Sequence, residues 1–438
     1  MLLPVEYAID SAISRNFGPD SGHSQSNYCQ ADNAMNILML SVTFPYPPSR
    51  GGTEVRTYNL LKALQEQHQV TLMTLRHEQV NDEEVAELQN QVETLQVFPS
   101  PSENYSRSLV AKTFRFGRFL FDGRPPSTRF RQTDEIQHWV NEQACSGKFD
   151  AITCEHSTNE VFVNSVVQKH IPRRVVDIHS SVYGTVKQQL ATGTAENPLR
   201  EQLNLSLLKR YEQRYCQKFT DLVVTTPEDA VQIHELCPQR PVHTVTNGVD
   251  LDSFTYRTRD PGGHDLVFVG AMDTPPNIDA AIFFGREVLP HVRVQYPDAR
   301  LYIVGTRPVE SVKNLQALPG VVVTGKVAST TDYLHQSAAC VVPLRSGYGI
   351  KNKTLEAMAA GVPVVASDRG LEGLTVDGDN VPLRALRANT VEEYVTAIQQ
   401  LFEKPELRAS LSANARTMIE ADFTWQQAGR TYSQILAG

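Results

Sequence analysis

From Met35 onward the chain alternates between two rhythms. "MNILMLSVTFPYP" is a continuous apolar run closed by prolines, the pattern of a parallel strand buried on both faces. "GGTEVRTYNLLKALQEQ" follows with apolar residues at helical spacing, then "QVTLMTL", which together predict a βαβ opening. The alternation continues through "FDAITCEHS", "RRVVDIHSS" and "FTDLVVTTP", each a short β-branched run ending in polar residues. A second series starts after "TYRTRDPGGHD", whose proline and glycines mark a linker. It holds "LVFVGA", "ARLYIVG", "GVVVTGK", "AACVVPL" and "GVPVVAS", separated by helical stretches such as "NIDAAIFFGREVLPHVRVQ". The reading is an α/β protein of two Rossmann-like domains facing an interdomain cleft, where the carboxyl ends of both sets of strands would receive a ligand.

The expected boundaries are a tail over 1–34, a first domain over 35–255, a second over 262–420 and a terminal segment over 421–438. In that last segment "FTWQQAGRTYSQIL" has the stripe of an amphipathic helix. The tail is polar and aperiodic, so it is expected to be disordered, with Met35 a candidate start residue.

Composition narrows the function. The chain has 438 residues, of which 41% are hydrophobic and 21% charged, with a formal charge of -8; no bulk basic charge supports nucleic-acid binding. Cys29, Cys145, Cys154, Cys216, Cys237 and Cys340 form no CxxC pair, so neither a disulfide framework nor a zinc site is expected, and the thiols read as reduced and cytoplasmic. No apolar run approaches the ~20 residues of a spanning helix. No G-x-G-x-x-G follows a strand, and no P-loop, H-E-x-x-H or G-x-S-x-G occurs, which removes the main support for dehydrogenase, ATPase, metalloprotease and hydrolase readings. No paired-carboxylate metal motif is visible; no metal and no cofactor are expected.

Candidate chemistry concentrates in "SGYGIKNKTLEAMAAGVPVVAS". Lys353 and Glu356 are three apart and share a helix face. Gly347 and Gly349 permit close backbone approach ahead of that helix, whose N-terminus favours an anion. Arg345, Lys351 and Lys353 add positive charge, so a diphosphate fits here, with Glu356 one turn on to accept hydrogen bonds from vicinal hydroxyls. The bland reading is a solvated helix start bearing a surface Lys-Glu pair; the buried strand that follows places it at the cleft instead.

"KTLEAMAAGVPVVAS", "VTNGVDLDSF", "LVFVGAMDTPPN" and "SVTFPYPPSRGGTEVRTYNLLKAL" together resemble family 4 glycosyltransferases, retaining enzymes of the GT-B fold, from about Met35 to the C-terminus. The resemblance implies a nucleotide-sugar donor and a saccharide or lipid-linked acceptor. It places the ribose on Glu356, the donor phosphates and acceptor near Gly51 and Gly52, and Asn247 near the domain junction. Gly349 and Ile350, with Arg345 and Lys351, complete the implied donor-binding set, and the terminal helix is expected to return to the first domain. Two departures stand out. Tyr348 occupies the position, eight before Glu356, where many members carry a first glutamate against the donor sugar. Ala271 and Pro276 stand near where an arginine and a lysine are usual, so Lys353, helped by Arg345 or Lys351, is expected to replace those phosphate contacts. The G-x-x-x-K-x-x-E arrangement from Gly349 to Glu356 resembles a subgroup associated with bacterial surface or exopolysaccharide assembly. A sugar-nucleotide epimerase of the same architecture and a non-catalytic nucleotide-sugar-binding scaffold are the alternatives.

His156 and His179 close two expected strands of the first domain, where a side chain would face the cleft and donate to the transferred sugar. Most lone histidines are structural; the resemblance favours His179 as the catalytic one. Asp177 orients it or simply ends the strand, and strand termination is the weightier reading. Between Ser106 and Arg131 lie seven basic residues, one acid and five phenylalanines. That mixture suits an anionic membrane surface or a lipid-linked acceptor, hence a cytoplasmic protein peripheral to the inner face; it equally suits a helix buried by its phenylalanines.

Overall fold

Alternate residues of β1 (Asn36–Ser41) enter different cores, which is why its sequence is apolar without interruption. Ile37 and Met39 join Leu60, Leu61 and Leu64 of the Gly52–Gln65 helix on one face; Leu38 and Leu40 join Ile152, Cys154 and Val176 on the other. The computed structural model describes residues 34–48, 51–101, 132–193, 195 and 197–438. The expectations for the 1–34 tail, save its last residue, and for the whole Ser106–Arg131 segment therefore lie outside the described residues.

The first sheet adds β2 (Gln69–Arg76), β3 (Thr94–Pro99), β4 (Ala151–Glu155), β5 (Arg173–Asp177), β6 (Asp221–Val224) and β7 (Val242–Thr244). The second comprises β8 (Asp265–Val269), β9 (Arg300–Val304), β10 (Val321–Gly325), β11 (Ala339–Val342), β12 (Val364–Ala366) and β13 (Leu386–Arg387). Their orders are β3-β2-β1-β4-β5-β6-β7 and β10-β9-β8-β11-β12-β13, and every pairing is parallel. This is the expected architecture of two doubly wound units. Both orders reverse direction once, between β1 and β4 and between β8 and β11, and such switch points leave a crevice beyond the carboxyl ends of the strands. Gly51 and Gly52 follow β1, Glu155 ends β4 and His156 follows it, Gly270 follows β8, and the 343–351 loop follows β11.

The long helix expected over "NIDAAIFFGREVLPHVRVQ" is broken into Pro275–Phe283, a wide turn over Phe284–Val288, and Leu289–Gln295. Pro290 supplies no N–H to the preceding turn, which accounts for the widening. The chain crosses between the halves twice, and the crossings lie against each other. Val249 donates its N–H to the Phe423 carbonyl at 2.9 Å and bridges Thr424. A side chain at Gly248 would stand 2.2 Å from the Trp425 backbone nitrogen, so only glycine allows this approach. The Trp425–Ala437 helix then packs Trp425, Ala428, Tyr432 and Leu436 into the first domain's core, beside the Gly52–Gln65 helix. Among the described residues no helix is long and apolar enough to cross a membrane.

Candidate functional site

Arg56 stands on the buried stripe of its helix, four residues before Leu60, and is 1% exposed. A guanidinium so placed must be fully paired, because removing it from water costs several kcal/mol. Its Nε and Nη2 grip both carboxylate oxygens of Asp177 at 2.6 and 2.9 Å, and its Nη1 donates to Asn247 Oδ1 at 2.7 Å and the Thr246 carbonyl at 3.3 Å. Asp177 Oδ2 also accepts from His179 Nε2 at 3.0 Å. Asp177 ends β5, as expected, and is also the hub joining Arg56 to His179. His156, with φ of 82°, lies edge-on to His179 with ring centroids 5.2 Å apart.

Glu155 lies beneath this group. Its Oε1 accepts from Tyr432 Oη at 2.9 Å and Thr153 Oγ1 at 3.1 Å; its Oε2 is buried without a hydrogen-bond partner, 4.0 Å from His179 Nε2. Burial, and then the Asp177 charge, push the Glu155 carboxyl up to about 8 against the pull of Arg56. Burial also works to raise Asp177, but Arg56 and then His179 outweigh it and hold that carboxyl below its ordinary range. The two acids therefore divide their roles: Asp177 is the anion and Glu155 the neutral acid at pH 7. Glu155, Asp177 and His179 bring ligand atoms within 4.8 Å of one another, a spacing that a cation fits. Arg56 already occupies both Asp177 oxygens, so a divalent ion would sit against a buried guanidinium, and the charge balance does not suit one.

On the other side of the cleft the Asn352–Ala359 helix follows the 343–351 loop. Neither this helix nor Gly52–Gln65 has a capping side chain at its N-terminus, leaving first-turn N–H groups for solvent or ligand. The two termini approach each other: Asn352 Oδ1 accepts from Asn247 Nδ2 at 2.7 Å, and Asn352 Nδ2 is 3.9 Å from where a Gly52 side chain would begin. Lys353 donates its Nζ to Asn277 Oδ1 and lies 4.8 Å above the Phe268 ring centroid. Burial brings its ammonium down to about 8 and Glu356 up to about 7, the latter opposed by Lys353. The Glu356 carboxyl has no hydrogen-bond partner among the described residues.

Gly51, Gly52, Asn247, Lys353 and Glu356 are thus gathered at the two helix termini, with His179 on the first-domain side. The remaining candidates are placed differently. Arg345 is held in a two-point pair with Asp279, its Nε 2.8 Å from Oδ2, and stacks on Phe283 at 5.1 Å. Lys351 bonds the Gly349 carbonyl and Glu372, the latter at 3.0 Å, and Glu372 also takes Arg369. Gly349, at φ of 71°, is required by the first domain: a side chain there would come 2.7 Å from Thr225 Oγ1, which accepts the Ile350 N–H at 3.3 Å. The close approach expected to serve an anion therefore serves domain contact. Tyr348 buries its Oη without a partner; burial, then Asp229, Glu212 and Glu372, push the phenol far up.

Arg56, Glu155, Asn352 and Tyr432 were not singled out in the sequence. Arg56 and Tyr432 left a signal, each a polar group within an apolar helical stripe; Glu155 ends a strand that is buried throughout. Asn352 left none, since only the meeting of two distant loops gives it a role.

Comparison with known proteins accords with this geometry. Residues 50–253 match Glycosyltransferase Family 4, and residues 263–404 match Glycosyl transferases group 1. A GDP-mannose-dependent monoacylated alpha-(1-6)-phosphatidylinositol monomannoside mannosyltransferase of Corynebacterium glutamicum is 28% identical over 224 residues, 43% of this chain and 54% of that protein. The chain thus spans about half the length of that relative. A putative glycosyltransferase, YtcC of Bacillus subtilis, is 23% identical over 73% of this chain and 83% of its own length. Among solved structures, sucrose-phosphate synthase from Thermosynechococcus elongatus superposes with a TM-score of 0.67 at 17% identity, covering 92% of this chain and 98% of that one. Anabaena HepE in complex with UDP and glucose gives 0.62 at 13% identity, covering 92% and 100%. These structural likenesses show the fold, which is GT-B.

Proposed function

We propose that the chain is a glycosyltransferase of the family 4 type, a reading that the matches over 50–253 and 263–404 support, and that it transfers a sugar from a nucleoside-diphosphate donor to an acceptor hydroxyl with retention. The observation that carries this is the meeting of two uncapped helix N-termini, at Gly52 and Asn352, with Lys353 and Glu356 on one side and His179 on the other. The donor's diphosphate takes the helix termini and Lys353, still mainly cationic at pH 7, and the ribose takes Glu356. Arg345 and Lys351 are neutralised by Asp279 and Glu372, which leaves Lys353 as the principal phosphate cation of the expected three. His179 supports the transferred sugar, its ring fixed by Asp177.

In the transfer, the bond from the anomeric carbon to the diphosphate oxygen breaks and the electron pair leaves with the diphosphate. The acceptor oxygen bonds to that carbon on the same face, and its proton passes to the departing phosphate oxygen. Helix termini and an ammonium stabilise the leaving charge, so the reaction requires no divalent ion. The mannosyltransferase relatives support a lipid-linked or saccharide acceptor in surface polysaccharide or glycolipid synthesis at the cytoplasmic side of a membrane.

Incubation with a panel of UDP- and GDP-sugars, in chelator, tests the reading. Transfer or slow donor hydrolysis is expected. Isomerised donor would indicate the epimerase, binding without turnover the scaffold, and strict dependence on added metal would overturn the proposed leaving-group stabilisation.

A further inference from the structure

Five side chains form one continuous hydrogen-bonded line through the cleft. It runs from His179 to Asp177 at 3.0 Å, to Arg56 at 2.6 and 2.9 Å, to Asn247 at 2.7 Å and to Asn352 at 2.7 Å. Its direction is dictated by one residue. A guanidinium can only donate, so Asn247 must turn its oxygen to Arg56 and its Nδ2 to Asn352. Asn352 must then answer with its oxygen, which leaves its own Nδ2 as a donor beside Gly52. At the other end Asp177, an anion paired with Arg56, accepts only, so His179 must donate to it from Nε2. A buried charge thereby sets two amide orientations and one ring donor, choices that an isolated side chain leaves open.

We propose that Asn352 Nδ2 is a ligand of the donor's diphosphate, and that Asn247 is a positioning residue that holds it in donor orientation on behalf of Arg56. The inference rests on the donor placement proposed above. It makes binding depend on a residue that touches no ligand: Asn247→Asp would keep the contact to Arg56 but force Asn352 to rotate its amide, presenting an oxygen to the phosphates. Asn352→Asp would keep the bond from Asn247 and set a carboxylate against them. Asn352→Leu would remove the donor without adding charge.

The test is calorimetric titration of UDP and GDP, with uridine and guanosine as controls, against the full chain and these variants. Each variant is expected to weaken diphosphate binding about ten- to hundredfold, the range for a lost hydrogen bond to a charged group, while nucleoside binding stays unchanged. An Asn247→Asp protein that melts near the parent yet binds UDP and GDP within about twofold of it overturns the relay, because a difference that small is within the noise of indirect effects. Should that variant unfold, Asn352→Asp and Asn352→Leu, at a half-exposed position, decide the matter by the same criterion. Lys353→Ala and Glu356→Ala run alongside. If they too leave affinity unchanged, the donor placement itself falls; if they weaken binding while the asparagine variants do not, only the relay falls.

Discussion

The two walls of the cleft bury charge in opposite ways. On the first-domain wall Arg56 spends all three guanidinium nitrogens on protein acceptors, and Asp177 is matched by Arg56 and His179, with side-chain exposures of 2% and 0% for the ion pair. On the second, Lys353 holds one amide oxygen, and the Glu356 carboxyl holds no hydrogen-bond partner among the described residues. On the first wall the line from Arg56 through Asp177 to His179 is satisfied as it folds, and only Glu155 Oε2 beneath it lacks a partner in that group; the second wall is left short of partners at the residues that face the cleft. Complete networks orient and incomplete ones bind, because a ligand can supply only what the fold has not already supplied.

Removing one partner from each wall should separate these roles most sharply. Arg56→Met strands the Asp177 carboxylate in the core and is expected to lower stability by about 3–5 kcal/mol. Lys353→Met relieves a buried ammonium of its desolvation, so urea unfolding should change little while UDP or GDP affinity drops. Equal stability losses in the two variants would show that the walls do not differ in kind.

A smaller effect distinguishes the two carboxyls of the first wall. A carboxyl raised by folding stabilises the protein below its ordinary value and loses that contribution as pH climbs through the raised one. For Glu155 this window runs from 4.5 to about 8, and Glu212, Glu356 and Asp229, each raised by burial to about 7, slope the same way. Asp177 has the opposite sign, but its window lies below its ordinary 3.8 and does not offset the others. Thermal melts should therefore decline from pH 5 to pH 8, and Glu155→Gln, which stays neutral and keeps an acceptor for Tyr432, should flatten part of that decline. An unchanged slope would mean that Glu155 is ionised already.

The sequence made the two parallel sheets legible because their central strands are buried on both faces and read as unbroken apolar runs. Only edge strands escaped: β3, β7 and β13 are largely half-exposed, so they carry no such run. The site was legible where one local segment holds the chemistry, as at Lys353 and Glu356. It was illegible where chemistry is assembled from afar: Arg56, Asp177 and Asn247 are separated by 121 and 191 residues from Arg56 along the chain. Local spacing also could not show the acids that neutralise Arg345 and Lys351, since Asp279 and Glu372 lie 66 and 21 residues away.

Tyr348 gives the smallest effect and the closest test of how this cleft departs from the glycosyltransferases it resembles. Its phenol faces Asp229, Glu212 and Glu372, with Oη buried and unbonded. Tyr348→Phe should therefore leave stability unchanged or raise it by up to about 1 kcal/mol, since it deletes an unsatisfied polar group. Binding of UDP and GDP should not move. Tyr348→Glu, which restores the glutamate common at this position, would add a fourth acid to three, two of them already raised to about 7, and should destabilise the domain contact without improving transfer. A gain of activity in Tyr348→Glu would instead mean that the side chain reaches the donor sugar. Short of that gain, the tyrosine is the residue that this acidic surface of the first domain tolerates where the loop docks, and the missing glutamate is a consequence of docking.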